Sequence, residues 1–526
     1  MPALLGLFTI QIAALSGAAP MPRTPVPQTP VLAAVEIQRN DIFDPDEAHG
    51  WVARLVNWLH FRTRESTVRR EVLLAPGLPF DSSRAAETVR HLRELGIFRG
   101  VRLDTASTDS GLVARVLTKD AWSTQLDFGF HSTGNQVLYS LELREQNLLG
   151  TGTALEFQTR HDADVNSHLV HFSGSRLIAN RVGLDLEYRD RSDGYSDVVS
   201  LSAPFLTQST PTEFTVAFAQ SRDTVRRYRN GVSTPAQRAG RTMDEADARW
   251  LWAVHRQPRG YLRIGLRAQA LRLELEDATA PAANTGRVMG QGGVLVGASR
   301  THFLVMPGYR RFDREDDVDL SSTVLAGLSY APRALGYPAD GVIPSLLART
   351  GARLPGGFVQ AAAEARGFYT DGLDSGLVSI GITAAIRPAS HQLLVLHAEQ
   401  GWRRNPPLGD DYDLGLDRGP RGFDAHAFTG DRVVFATAEW RWAAIPELAR
   451  MVGIGLATFA DYGGAWFAGD VRRTGGSFGA GLRLDFTRSG DPSLVRIDLA
   501  HHSATDEAPE GWVLVVGKGF AFSTAP

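Results

Sequence analysis

Apolar and polar residues alternate one by one along segment after segment from Ala121 to the C-terminus. In the segment VGLDLEYRD, single glycine or charged residues separate Val182, Leu184, Leu186 and Tyr188. Because successive side chains of a β-strand point to opposite faces, this pattern predicts strands with one apolar and one polar face. The pattern continues for about four hundred residues, which is longer than a soluble β-sandwich domain usually runs.

A membrane barrel accommodates such a pattern by turning its apolar face to lipid and its charged face to a watery lumen. Closure of the barrel also satisfies every backbone hydrogen bond, which lipid cannot do. Residues 121–526 allow about sixteen strands if each strand with its turn takes about 25 residues. We therefore predict that residues 121–526 form an antiparallel transmembrane β-barrel of about sixteen strands.

The composition excludes several other classes of protein. The chain has 55 Lys+Arg against 58 Asp+Glu, so it lacks the basic excess that a nucleic-acid-binding surface needs. It contains no cysteine, which excludes thiol catalysis, disulfides and cysteine-ligated metals. The sequence indicates no cofactor and no nucleic-acid partner.

The N-terminal segment MPALLGLFTIQIAALSGAAP is an apolar run that ends in small residues, and it resembles a secretory signal. We expect a signal peptide at residues 1–19, followed by a proline-rich extended linker at residues 20–34. No Lys or Arg precedes Leu4, so a mis-assigned start or a short membrane anchor is the alternative. Beyond residue 20, no stretch reaches the roughly 18 to 20 apolar residues of a membrane helix.

Residues 35–120 show a different pattern, with a strand, helical segments and a final pair of strands. This order of elements predicts a compact α+β unit. The phrases NWLHFRTRESTVRREVLLAPGLPFD and LRELGIFRGVRLD resemble those of a polypeptide-transport-associated (POTRA) domain. An unrelated small α/β domain is the alternative.

Four phrases that follow this unit resemble motifs of the BamA/TamA-like outer-membrane assembly proteins, also called bacterial surface antigens. LREQNLLGTGTALEF is similar to the turn after the first barrel strand of that family. The other three are RGF at Arg421, Gly422 and Phe423, FADYGGAW with Phe459, Asp461 and Gly463, and the C-terminal GKGFAF with Gly517, Phe520 and Phe522. Two departures stand out: only one POTRA-like unit fits before residue 121, and Val515 replaces the usual polar residue of the C-terminal β-signal.

The resemblance implies an outer-membrane protein, with the POTRA-like domain in the periplasm, that assists the insertion or translocation of other proteins. The implied partners are the outer-membrane bilayer, unfolded or extended client proteins, and accessory periplasmic or lipoprotein subunits. It also implies a lateral gate between the first and last strands, where Gly517 and Gly519 supply no side chains to pack. Phe520 and Phe522 of the β-signal are expected to face lipid. A dedicated secretion pore of the two-partner type and a passive porin are the alternatives.

An outer-membrane lipid hydrolase is a further alternative, because DLAHHSATD offers Asp498, His501, His502 and Ser503 within a few residues. Near a strand end these side chains alternate between faces, so they cannot all converge. We therefore expect no enzymatic activity. His161 and the aspartates after it lack a further ligand at matching spacing, and we expect a solvated loop and no metal there.

Arg421 lies in a polar loop before the strand FATAEWRW. By resemblance, this loop folds back into the barrel, and Asp461 points into the same lumen. The alternation independently places Glu439 and Arg441 on one face of the strand. We predict a charge-assisted, bidentate hydrogen bond from Arg421 to Asp461, with Glu439 as a second acceptor, that pins the loop to the barrel wall. A solvated loop arginine is the alternative.

Overall fold

The structure is a computed structural model. It describes residues 30–43, 51–109, 111–132, 136–179, 181–205, 210–229, 231–234, 238–257, 260–276, 285–312, 314–415, 418–489, 494–506 and 509–522. The predicted signal peptide and the predicted linker up to residue 29 lie outside the described residues.

An N-terminal unit of three strands and three helices precedes the barrel. Its elements are β1 (Leu32–Asn40), α1 (Trp51–Leu59), α2 (Glu65–Glu71), α3 (Ser82–Glu94), β2 (Phe98–Thr108) and β3 (Gly111–Asp120). β3 lies in the middle of the sheet, parallel to β1 and antiparallel to β2. The Asp81 side chain begins α3 by accepting hydrogen bonds from two backbone amides of its first turn. No helix in the described residues is both long and apolar enough to span a membrane.

The helices pack unevenly on the sheet. Val68 of α2 and Leu92 of α3 are buried in one core with Val116 of β3. In α1, Val56 packs on Ile42 and Phe43, but Trp51 and Trp58 are among the most exposed large apolar side chains of the described residues.

Twenty further strands form one closed antiparallel barrel, in which each strand pairs with its neighbours in chain order. They are β4 (Thr124–Ser132), β5 (Val137–Glu145), β6 (Thr153–His161), β7 (Asn166–Ile178), β8 (Val182–Arg191), β9 (Gly194–Ala203), β10 (Thr212–Arg226), β11 (Arg238–Gln257), β12 (Gly260–Glu276), β13 (Thr285–Arg300), β16 (Ser322–Ala331), β17 (Gly341–Leu354), β18 (Gly357–Tyr369), β19 (Leu373–Ile386), β20 (Gln392–Arg404), β23 (Arg432–Leu448), β24 (Val452–Trp466), β25 (Gly475–Phe486), β26 (Val495–His502) and β27 (Gly511–Lys518). Two short hairpins lie between barrel strands, and they consist of β14 (Phe303–Pro307) with β15 (Glu315–Asp319), and β21 (Tyr412–Leu414) with β22 (Phe428–Gly430).

The predicted fold class is wrong in two respects. The barrel has twenty strands and not about sixteen, because tight turns such as residues 192–193 and 355–356 leave fewer residues per strand than the about 25 assumed. The chain is also nearly all strand with little helix, and its N-terminal unit is not a clear POTRA domain.

The two faces of the barrel wall differ as the alternation predicts. In β24, Leu456 and Tyr462 are exposed on the outer face, whereas Phe459 and Asp461 are buried on the inner face. Apolar side chains are exposed in the same way on strands around the whole barrel. An exterior of this kind matches lipid, since pairing around the barrel satisfies most backbone groups of the wall within the protein.

The lumen is filled from both ends. We call the rim beside the N-terminal unit proximal and the opposite rim distal. From the proximal rim, residues 301–321 with the β14–β15 hairpin (the lumen hairpin) and residues 519–522 (the tail) pack against inner-face residues of β18 and β20. From the distal rim, residues 405–431 with β21 and β22 (the distal loop) pack against β23 and β24. Phe522 of the tail packs against both of these apolar clusters, so the segments that enter from the two rims contact each other inside the lumen.

The turn that contains NLLGTG joins the N-terminal unit to the proximal rim. The carbonyl of Gly150 accepts hydrogen bonds from the Arg64 amide and from the Thr67 hydroxyl of α2, each at 2.9 Å. Gly150 has a φ of +77°, and a Cβ at this position would lie 2.6 Å from the Arg62 carbonyl oxygen. The close approach of two backbones therefore requires glycine here.

Candidate functional site

Arg421 of the distal loop is buried inside the barrel at 4% exposure. Its Nε and Nη2 atoms donate to the two carboxylate oxygens of Asp461 at 2.8 and 2.9 Å, in a bidentate arrangement. Its backbone amide donates to the same carboxylate at 3.1 Å, and Nη1 donates to Glu439 Oε2 at 2.9 Å. These are the two carboxylates that the sequence assigned to Arg421.

A third carboxylate, Asp498 of β26, also binds Arg421, with 3.2 Å between Arg421 Nη1 and Asp498 Oδ2. The guanidinium lies 3.4 Å from the ring centroid of Phe459, which adds a cation–π contact on its face. From the sequence, Asp498 is a candidate only for the hydrolase alternative. The alternation of RIDLA, which places Arg496 and Asp498 on one face, was the available signal.

Two of the three carboxylates, Glu439 and Asp498, also bind arginines of β23, β25 and β26. Arg441 Nε donates to Glu439 at 2.5 Å, and Arg483 donates to Glu439 at 3.0 Å and to Asp498 at 2.5 Å. Arg496 donates to Asp498 at 3.2 Å. We call this set the ion network, and its members are Arg421, Arg441, Arg483, Arg496, Glu439, Asp461 and Asp498. The network thus joins four guanidinium groups and three carboxylates, and six of its seven members lie on the neighbouring strands β23 to β26, while Arg421 lies on the distal loop.

The charge of Arg421 depends on these neighbours. Burial opposes the charged form, but the hydrogen bond and charge of Asp461, with the charges of Glu439 and Asp498, raise the pKa of Arg421 above its ordinary value. Arg421 therefore stays protonated in the lumen. Because the pairs are buried, the loss of one partner leaves a charge without compensation, which costs about 3 to 5 kcal/mol.

The other residues of the RGF and F-x-D-x-G motifs shape the surroundings. Gly422 has a φ of +94°, and Phe423 is buried with its ring 5.1 Å from that of His502. A Cβ on Gly463 would lie 3.1 Å from the backbone of Phe435 on β23. Gly422 thus allows the distal loop to turn, and Gly463 allows β23 and β24 to pack closely.

The tail residues lie in the lumen and not against lipid, so the expected orientation of Phe520 and Phe522 is wrong. Phe520 lies under the guanidinium of Arg441 at 4.0 Å, and Phe522 stacks on His397 with ring centroids 4.2 Å apart. The cause is at Gly519, which adopts a φ of +69° and donates its amide to the Leu494 carbonyl at 2.8 Å. The chain turns inward there, and β27 ends one residue earlier.

Gly517 makes room for a member of the ion network. A Cβ at this position would lie 3.0 to 3.2 Å from the guanidinium of Arg496. A side chain at residue 517 would therefore press against Arg496 beside Asp498.

The barrel closes between β27 and β4 through few backbone pairs, and we call this junction the seam. β26 and β27 pair along their whole length. The pairs across the seam are Leu514 with Ser132, Val515 with His131, and Val516 with Phe130. Residues 124–129 of β4 pair with β5 on one side and with no described strand on the other.

A cavity of roughly 1080 Å³ lies at the unpaired part of the seam. Its lining includes Gln125 and Asp127 from the inner face of β4 and Leu126 and Phe128 from the outer face. Both faces of one strand can line the same cavity only where the wall is open beside it. The ion pair of Lys518 with Asp127 crosses this opening.

The lumen hairpin is held by a second buried pair that the sequence analysis missed. Arg311, which is 1% exposed, donates its Nε to Asp485 Oδ1 of β25 at 2.7 Å. The amide of Phe312 donates to the other oxygen of Asp485 at 2.7 Å. The alternation places Asp485 inside the barrel, but only the folded hairpin brings Arg311 to it.

His426 links the distal loop to the turn between β6 and β7 at the distal rim. His426 Nε2 lies 3.0 Å from Asp164 Oδ2, its Nδ1 lies 2.5 Å from Asp413 Oδ2, and its ring stacks on that of Tyr228. Burial lowers the pKa of His426, but the hydrogen bonds to Asp164 and Asp413 outweigh it and raise the pKa to about 9. The same hydrogen bond from His426 lowers the pKa of Asp164 to about 2. We call these four residues the distal clamp.

The candidate hydrolase residues do not converge. Asp498 belongs to the ion network, and the His501 ring lies 4.9 Å from that of Trp512 on the outer face. His502 packs on Phe423, and the Ser503 hydroxyl accepts a hydrogen bond from a backbone amide of β25. Among the described residues, no group of three or more His, Asp or Glu side chains could hold a metal ion.

A closed barrel with an apolar exterior, charged inner wall and filled lumen defines an outer-membrane β-barrel protein. The sequence matches no protein-family model and no curated protein.

Several solved structures are similar to the chain. BamA from Haemophilus ducreyi lacking POTRA domains 1-3 shares 12% identity over 92% of this chain and 84% of that one, with a TM-score of 0.41. CdiB from Acinetobacter baumannii shares 11% identity over 94% and 74%, with a TM-score of 0.46. CdiB from Escherichia coli shares 12% identity over 93% and 76%, with a TM-score of 0.47. A BamA structure is thus among those similar to the chain, while a single POTRA unit is not shown. Because these identities and TM-scores are low, we base the function on the chain's own residues.

Proposed function

We propose that this protein assists the insertion or translocation of other polypeptides at the outer membrane, and that the seam is where they engage. The observation that carries the proposal is the unpaired edge of β4 at residues 124–129. A row of backbone amides and carbonyls without partners is costly in lipid and is a template for an added strand. An extended client segment would supply the missing hydrogen bonds without a demand on its sequence.

The dimensions of the wall support the same site. β26 and β27 have 8 residues each, whereas β11 and β12 have 20 and 17. Eight residues rise about 26 Å along a strand, and a tilt of about 40° leaves a height of about 20 Å. This is less than the about 30 Å of a bilayer core, so lipid beside the seam would be thinned. A client strand that inserts there has a thinner hydrocarbon layer to cross.

The ion network would hold the wall beside the seam while the seam opens. Its residues tie β23, β24, β25 and β26 to the distal loop through buried charge-assisted hydrogen bonds. The junction of β27 with β4 contains no member of this network. Opening would therefore break three register pairs and the Lys518–Asp127 ion pair without disturbing the network.

Because the lumen is filled, we favour client entry at the seam over client passage along the barrel axis. A passive pore, or a secretion pore that conducts its client along the axis, would require the distal loop, the lumen hairpin and the tail all to leave. Their clusters contain large buried aromatic side chains, and exposing these to water would cost much apolar burial.

A reversible covalent lock across the seam tests the proposal. The chain has no cysteine, so the pair Phe130→Cys with Val516→Cys would form the only disulfide. We expect the oxidised pair to abolish client delivery, measured as outer-membrane and secreted protein content of cells, and reduction to restore it. The matched control is Leu499→Cys with Leu514→Cys on β26 and β27, which should have no effect when oxidised. Full delivery with an oxidised seam pair, verified by mass, would refute the proposal.

A further inference from the structure

The first helix, α1, has an aromatic face that the described part of the chain leaves largely uncovered. Trp51, Leu55 and Trp58 are 71%, 43% and 78% exposed. Their spacing of four and three residues places them side by side on one face of the helix, which we call the aromatic face. A contiguous exposed patch of large apolar side chains marks a surface that contacts another molecule or a membrane.

The opposite face of α1 is attached to the protein. The side chain of Asn57 donates to the Phe43 carbonyl at 2.8 Å and accepts from the Phe43 amide at 3.1 Å. Val56 packs on the small apolar cluster that contains Phe43. Because Val56 and Asn57 lie on the side of the helix away from the aromatic face, these contacts hold the aromatic face outward.

The position of α1 is at the proximal rim, beside the lipid-facing surface of the barrel. The ring of Phe43 lies 4.7 Å from the guanidinium carbon of Arg488, which follows β25 at that rim. Phe43 and Val56 line the seam cavity together with Phe128 and Phe486, which are exposed on the outer face of the barrel. The lipid-facing surface of the barrel therefore continues directly to α1.

We infer that α1 is an interfacial helix, whose aromatic face lies in the head-group layer of the leaflet at the proximal rim. Tryptophan favours this layer because its ring is apolar and its indole N–H can donate to head-group oxygens. With 9 residues, α1 is too short to span a bilayer, but a helix that lies flat buries its apolar face about 5 to 10 Å deep. The contact holds the N-terminal unit against the membrane beside the seam, whether or not the barrel handles clients.

Spin labelling of the full-length chain in dioleoylphosphatidylcholine vesicles tests the inference. The chain has no cysteine, so Trp51→Cys and Trp58→Cys each provide a single labelling site. Molecular oxygen concentrates among acyl chains, whereas a polar nickel chelate stays in water, so the ratio of their collision rates with the label reports its depth. We expect frequent collisions with oxygen and few with the nickel chelate at both positions.

Two reference positions calibrate the ratio. Ile264→Cys on the outer face of β12 gives the value for lipid. Ser107→Cys gives the value for water, since Ser107 is exposed at the end of β2 far from the barrel. The ratios at residues 51 and 58 should lie on the lipid side of the midpoint between these references. A ratio equal to that of Ser107→Cys at either position would overturn the inference.

The same measurement separates lipid from a protein partner. A label that a second copy of the chain or another protein covers collides rarely with both reagents, and this outcome at residue 51 or 58 would also overturn the inference. Both substitutions replace exposed side chains, so the core of the N-terminal unit stays intact. Unheated gel mobility verifies that each labelled variant is a folded barrel.

Discussion

Arg421 binds three carboxylates that come from three strands of the barrel wall, β23, β24 and β26. Asp461 accepts hydrogen bonds from Nε and Nη2 of Arg421, while Glu439 and Asp498 both accept from Nη1. A lysine has one charge but no fork, so it cannot reproduce a bidentate bond and two further contacts from one position. The position therefore demands arginine for its geometry as well as for its charge.

Replacement of Arg421 tests the network directly. Arg421→Ala should lower the free energy of unfolding by about 3 to 5 kcal/mol, because three buried carboxylates lose a partner. Arg421→Lys should recover only a small part of this loss. Urea unfolding in lipid vesicles, followed by gel mobility, measures both. Arg267→Ala is the control, since its pair with Asp247 is partly exposed and should contribute about 0 to 1 kcal/mol. Equal losses for Arg421→Ala and Arg267→Ala would contradict the network's role.

The resemblance of the RGF and FADYGGAW phrases, together with the alternation, predicted the contacts of Arg421 with Asp461 and Glu439 but not the whole network. Glu439 and Arg441 share a face of one strand, so the period of two identifies them as lumen residues. Arg483 and Asp498 also follow the alternation, but their meeting with Glu439 depends on the register of three strand pairs. Register across strands is set by turn geometry and packing, which a single sequence does not display.

At the scale of elements, the alternation predicted strand faces well and strand ends poorly. Phe520 and Phe522 keep the spacing of outward residues, yet the inward turn at Gly519 carries both into the lumen. A periodic pattern cannot reveal where pairing with a neighbour stops. The same limit explains the strand count, because short turns carry almost no pattern of their own.

The distal loop should be sensitive to alkaline pH through His426. The ordinary pKa of histidine is about 6.5, and in the folded loop it is about 9. A raised pKa means that the stabilisation by protonated His426 is complete below about pH 6.5 and is lost as pH rises through 9. The lowered pKa of Asp164, about 2, places the acid limit of the same contact below pH 4.

Hydrogen exchange measures this dependence. The protection of distal-loop backbone amides against hydrogen exchange, corrected for the intrinsic exchange rate, should be constant between about pH 5 and 7. It should fall as the pH approaches 9. His426→Gln should show lower protection with no such fall, and the connection at residues 467–474 serves as an internal control. A His426→Gln variant with the wild-type pH profile would show that another group controls the loop.

At the scale of the whole molecule, the barrel wall on one side of the seam is held by the ion network. On the other side of the seam, the edge of β4 at residues 124–129 has no partner among the described strands. The ion network holds β23 to β26, the NLLGTG turn attaches the N-terminal unit beside β5 and β6, and the weak junction lies between these two supports. The tail turns into the lumen where it could have continued along β4. The architecture thus places the unpaired stretch of β4 next to lipid, where an entering strand would find it.

The most direct test of this account is photo-crosslinking from the free edge in living cells. A photo-reactive residue at Phe128, on the outer face of the unpaired part of β4, should form adducts with other polypeptides. The matched position is Ile264, which is similarly exposed on the outer face of β12 but lies on a fully paired strand. The account predicts polypeptide adducts at Phe128 and lipid adducts alone at Ile264. Equal adducts at the two positions, or no polypeptide at Phe128, would contradict the claim that clients engage the seam.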